Sequence, residues 1–142
     1  MQPWDHLITY DGVLGLHSEL INRFGGDATP SPKTGCVEGS LGAAWNVELY
    51  QDNEGGQEGL CFAGCLLFYL AMNHCFTDGN KRVAWASCME AIRCMGLTIN
   101  ATTDEAEEFV LGLITKDGSK ATDVSRWLAE RLEQLPEAAP LQ

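Results

Sequence analysis

Apolar side chains recur at helical spacing near the start of the chain, at Val13, Leu16, Leu20, Ile21 and Phe24, and Gly25-Gly26 follows. That spacing predicts a first helix stopped by glycine. Asp27 to Lys33 is rich in turn formers, and its two prolines withhold backbone donors, so it reads as a loop. Glu38–Ala44 predicts a short helix. The run WNVELYQDNEGG then alternates weakly and ends in polar turn residues, predicting a hairpin or exposed flap before the central helix. From Gln57 or Gly59 to Asn73 the chain is apolar on nearly every side, as a helix at the centre of a bundle must be.

Asn80 to Met95 is again periodic, through Val83, Ala84, Met89, Ile92 and Met95, and Gly96 stops it. Thr102 with Glu105 forms a capping-box pattern that opens a helix to about Thr115. Thr122 or Asp123 caps a last helix expected to reach Leu135. The pattern as a whole predicts an all-α helical bundle, one domain over residues 1–135 with a frayed tail over 136–142. No internal repeat is visible, which argues against a solenoid.

Composition narrows the function. The chain is 142 residues long, 45% hydrophobic and 20% charged, as a globular domain is. Twenty acidic residues against nine basic ones give a formal charge of -11, which repels a phosphate backbone and argues against direct nucleic-acid binding. The N-terminal MQPWDHLITY has neither the basic nor the apolar region of an export signal, and the run Leu60–Met72 is shorter than a membrane span of about 20 residues. A cytoplasmic protein without membrane partners is therefore expected. In a reducing cytosol the six cysteines, Cys36, Cys61, Cys65, Cys75, Cys88 and Cys94, read as free, mostly buried thiols.

Polar chemistry gathers in one stretch, His74 to Arg82, reading HCFTDGNKR, between the two central helices. A calcium loop with Asp78-Gly79 at its fifth and sixth positions would place His74, Phe76 and Trp85 at ligand positions, and none offers a hard oxygen. The chain also lacks a G-x-x-x-x-G-K-[ST] phosphate loop and the H-R-D and D-F-G elements of protein kinases. Cys61 and Cys65 with His74-Cys75 invite a zinc reading, but their apolar neighbours suit small buried thiols better.

What the stretch does supply is an anion seat. A helix beginning at Gly79-Asn80 directs unpaired N–H groups and a partial positive charge at a phosphate, Lys81 adds a point charge, and Arg82 adds a planar fork. Asp78 offers a carboxylate for Mg2+, and His74 an imidazole, the side-chain type suited to take a proton from a hydroxyl near neutral pH. Phosphoryl or nucleotidyl transfer needs those parts; the plainer reading is a helix cap followed by a solvated Lys-Arg pair.

These residues resemble the signature of the Fic/Doc superfamily, in particular the death-on-curing (Doc) branch, whose pattern H-x-F-x-[DN]-[AG]-N-K-R is met by His74, Phe76, Asp78, Gly79, Asn80, Lys81 and Arg82. GLHSELINRFGG is similar to the family's first helix and GCVEGSLGAA to the opening of its second. The apolar helix before His74 and RVAWASCMEAIRCMGL after it follow in the family order, so the likeness runs from about Asp11 to Leu132. The resemblance implies an all-α Fic fold binding ATP and Mg2+, with His74 as general base, Asp78 as metal ligand, Gly79, Asn80, Lys81 and Arg82 around the phosphates, and Phe76 anchoring the loop.

It also implies a reaction. Lys81 stands where the AMP-transferring branch has glycine and Trp85 where that branch has a second arginine. A Doc-like toxin of a toxin-antitoxin pair is thus expected, one that moves a phosphoryl group from ATP to a hydroxyl of a protein of the elongation factor Tu class and blocks translation. An antitoxin would cover its active-site groove. The alternatives are an AMP-transferase and a catalytically silent Fic-fold binding protein. Thr34–Gly39 formally matches the family's inhibitory [ST]-x-x-x-E-[GN] pattern, but it falls at the expected opening of the second helix, where Glu38 reads as a first-turn carboxylate. Cys75 is expected only to pack, and His6 and His17 to be structural.

Overall fold

The computed structural model describes residues 1–27, 32–50, 56–116, 118 and 120–136. Its elements run α1 (Tyr10–Phe24), α2 (Cys36–Tyr50), α3 (Leu60–Asn73), α4 (Asn80–Cys94), β1 (Leu97–Ile99), α5 (Thr103–Thr115), α6 (Ala121–Ala129) and β2 (Leu132–Gln134). The mainly α architecture read from the pattern is present.

Helix α3 is the axis of the molecule. Phe62, Leu66, Leu67 and Leu70 are fully buried, and α2, α4 and α6 pack around them. A helix with no polar face removes most of its apolar area from water only when neighbours cover every side. Closest approach is at Gly64, where a Cβ would stand 2.7 Å from Ser125 Oγ and 3.1 Å from Ser125 N, so α6 lies nearly on the α3 backbone. The α3 N-terminus follows Gly59, which has no side chain to cap it; Glu48 of α2, itself buried, instead accepts the Phe62 N–H at 3.0 Å. Helix α1 rests on α4 and, more lightly, on α2.

Two expectations are corrected here. Residues 45–50 continue α2 as helix instead of forming a hairpin, because Ala44 and Glu48 lie on its buried side one turn apart; residues 51–55 of the expected flap lie outside the described residues. The two strands lie after the central helices instead, β1 pairing antiparallel with β2 in the register Leu97↔Gln134, Thr98↔Glu133 and Ile99↔Leu132. The last helix stops at Ala129, short of Leu135, since residues 132–134 serve as the partner of β1. Thr102 and Glu105 form both hydrogen bonds of the expected capping box. Residues 137–142 of the expected frayed tail lie outside the described residues.

An aromatic stack closes the α4–α6 side. Trp127 lies parallel to Phe109 with ring centroids 4.2 Å apart, meets Trp85 edge-on at 6.1 Å, and carries the Arg131 guanidinium at 4.1 Å. Such contacts add roughly 0.5–1.5 kcal/mol each beyond the area they bury.

Candidate active site

The polar stretch forms the turn from α3 into α4. His74 ends α3 at φ 50°, ψ 49°, and is the one left-handed non-glycine among the described residues. A β-carbon in that region costs roughly 1–2 kcal/mol, so the surroundings must hold it there. What the conformation achieves is a reversal of direction. The His74 side chain stays exposed while Cys75 and Phe76 turn into the core, 1% and 5% exposed.

Asn80 fixes the other end of the turn. Its Oδ1 accepts the Phe76 N–H at 3.0 Å and its Nδ2 donates to the Phe76 carbonyl at 2.8 Å. Both ends of the carboxamide are thereby engaged with one residue's backbone, so Asn80 would meet a phosphate through its main-chain N–H. Gly79 precedes α4 at φ 78° and a Cβ there would stand 3.3 Å from Ile21 Cδ1, which lets the turn press onto α1. The N–H groups of Asn80, Lys81 and Arg82 open the helix and have no intrahelical carbonyl to bond.

Asp78 is exposed, yet its backbone and carboxylate are both held. Its carbonyl accepts from His17 Nε2 at 2.8 Å, Oδ1 accepts the Gly79 N–H at 2.8 Å, and Oδ2 lies 3.4 Å from the Asp27 nitrogen. Gly26 allows that approach: a Cβ at this position, φ +125°, would fall 2.7 Å from Asp78 Oδ2. Lys81 and Arg82 are exposed beside it, and the Arg82 guanidinium lies 4.6 Å above the Phe24 ring.

The expectation for two cysteines is corrected. Cys36 and Cys75 form a disulfide, with Cα atoms 5.4 Å apart. The first turn of α2 packs beneath the motif, where the Lys33 N–H bonds the Cys75 carbonyl at 2.9 Å and Ser40 Oγ accepts from Asn73 Nδ2 at 3.0 Å, so the two sulfurs meet. Cys61, Cys65, Cys88 and Cys94 stand outside the disulfide as reduced thiols. Burial pushes Cys65 up to about 12 and raises Cys88 as well. Glu38 lies in the first turn of α2 and hydrogen-bonds Tyr10, whose phenol is raised by desolvation and by that carboxylate.

The structure thus brings His74, Asp78, Gly79, Asn80, Lys81 and Arg82 into one turn on the surface at one end of α3 and α4. Two cavities lie elsewhere. One, of about 630 Å³, is lined by His6, Trp45, Glu48, Glu58, Gly59 and Met95 at the opposite end of the helix pair; the other, of about 210 Å³, lies against Trp127 and Arg131. Sequence reasoning missed the platform beneath the turn, made by Phe24, Gly26 and Asp27 with His17, the last of which it read as structural. The Gly25-Gly26 pair was its one visible sign, and it reads equally well as a helix stop.

The turn joining the two central helices, with an imidazole at one edge and an unpaired helix N-terminus at the other, is built from the residues on which the resemblance rests. The pattern of the Fic/DOC family matches residues 7–91, more than half of the chain, and the protein belongs to that family. Among known proteins it is similar to Toxin Doc of Mycolicibacterium smegmatis (strain ATCC 700084 / mc(2)155), 39% identical over 57 residues, a match covering 39% of this chain and 44% of that protein. Among the described residues no helix is long and apolar enough to cross a membrane.

Proposed function

We propose that this protein is a Doc-like toxin that transfers a phosphoryl group from ATP to a hydroxyl of a target protein. The observation that carries the reading is the pairing of an exposed His74 with an unpaired helix N-terminus on the same nine-residue stretch. In the step envisaged, the acceptor hydroxyl gives its proton to the His74 imidazole as its oxygen bonds the terminal phosphorus; the bond from that phosphorus to its bridging oxygen breaks, and ADP leaves. First-turn N–H groups of α4, with Lys81 and Arg82, hold the phosphate oxygens.

The donor set suits a divalent cation. Asp78 is an exposed hard carboxylate, steadied through its own carbonyl and with Oδ2 turned toward the Gly26-Asp27 backbone, so Mg2+ would be held by Asp78 together with phosphate oxygens. Bound there, it would neutralise charge on the phosphates. Phosphoryl rather than adenylyl transfer is favoured by Lys81, a bulky cation standing where the AMP-transferring branch has glycine. Trp85 favours it too, since it is half-buried against Trp127 and supplies no second cation.

The target class is elongation factor Tu, which makes the outcome a block of translation in the cytoplasm. The natural inhibitor is an antitoxin laid over the turn. The test is transfer of label from ATP to purified elongation factor Tu and to a cell lysate. Label from the γ-position is expected on a protein, and His74→Ala should lower the rate at least a hundredfold. Label from the α-position alone would make the protein an AMP-transferase. Toxicity unchanged in His74→Ala cells would make it a binding protein.

A further inference from the structure

We propose that His17, in the middle of α1, is a positioning residue for the transfer site: it holds the Asp78 carbonyl and so fixes where the Asp78 carboxylate and the start of α4 point. The inference rests on the reading of the His74–Arg82 turn as a nucleotide site. His17 is 6% exposed, its Nε2 lies 2.8 Å from the Asp78 carbonyl oxygen across 61 positions of sequence, and its ring stacks on Phe76 at 3.9 Å with 14° between the planes.

The chemistry follows from the acceptor. A carbonyl oxygen only accepts, so Nε2 must carry the proton. A buried polar ring at this place is not needed for packing alone, since the Phe76 stack would be served as well by a phenyl group. What imidazole adds is a donor rigidly aimed at the backbone between the proposed metal ligand and Gly79, whose absent β-carbon leaves the turn resting on His17 and Ile21, with ring atoms of His17 3.6 Å from the position a Cβ would take. The same peptide unit carries the Gly79 N–H that bonds Asp78 Oδ1. Tilting this unit therefore moves the carboxylate and the first helical N–H groups together.

The two functions of the ring separate by substitution. His17→Phe keeps the stack and loses the donor; His17→Gln keeps an N–H donor and loses the stack. In His17→Phe, amide hydrogen exchange at the hydrogen-bonded N–H groups of Phe76, Gly79 and Val83 is expected to rise about tenfold, the change made by losing one ordinary hydrogen bond. Exchange in α3 and α6 should stay as in the parent. Mg-ATP affinity should weaken by a similar factor, and His17→Gln should recover part of both. Should His17→Phe not fold, nitrogen NMR of the unaltered protein decides: a protonated Nε2 is expected, and a ring protonated only at Nδ1 overturns the proposal. Unchanged exchange at those three amides, or a rise spread evenly over the whole chain, also overturns it. Exchange needs no turnover, so failure of the unaltered protein to bind or use ATP sinks the nucleotide reading separately.

Discussion

Asn80 has an amide side chain whose two polar ends meet one residue's backbone, and losing them leaves a part-buried N–H and C=O at Phe76 unpaired. Asn80→Ala should therefore cost about 2 kcal/mol in urea unfolding, beyond the value of a surface amide. Gly26→Ala should act differently. The added methyl meets Asp78 Oδ2 at 2.7 Å and Ile21 Cδ1 at 2.9 Å in a backbone region that β-carbons avoid, so a loss of about 1–3 kcal/mol is expected together with a weaker Mg-ATP complex. Calorimetry on the same sample reads both. The sequence named His74, Asp78, Asn80, Lys81 and Arg82, because that motif is local. It hid His17 and Gly26, because contacts made across more than fifty positions leave no trace in spacing.

Helices α1, α3, α4 and α5 were legible with boundaries close to those observed, since their apolar periodicity and stop signals agree. Misreadings arose where an element's state depends on a distant partner. Residues 45–50 are helical because α2 packs along α3, and 132–134 are extended because β1 offers an edge. At this scale Thr102→Ala removes the acceptor for the Glu105 N–H and should lower stability by about 1 kcal/mol, as a shift of the urea midpoint with unchanged slope would report. The α3 and α4 thiols make a second case. With Cys65 pushed up to about 12 and Cys88 also raised by burial, neither has appreciable thiolate at pH 8. Iodoacetamide should therefore spare both in the folded chain, while the exposed Cys94 reacts, as peptide mass mapping would show.

For the molecule as a whole, the acidic charge was readable from composition, but the pairing of Cys36 with Cys75 was not. Six cysteines without a partner map do not reveal which two the fold brings together. Closing a loop over a separation of 39 residues restricts the unfolded chain enough to stabilise the folded one by about 4 kcal/mol in the chain-entropy account. Cys36→Ser should lower the unfolding midpoint accordingly, by an amount that reduction of the parent reproduces.

The same bond turns the stretch from Cys36 to Cys75, with α2 and α3 inside it, into a covalent ring. A single backbone scission anywhere within that ring leaves one molecule, still carrying His74 on the piece tied through Cys75 to Cys36. Such nicked protein would run as intact on an electrophoresis gel without reductant and fall into two bands once thiol is added.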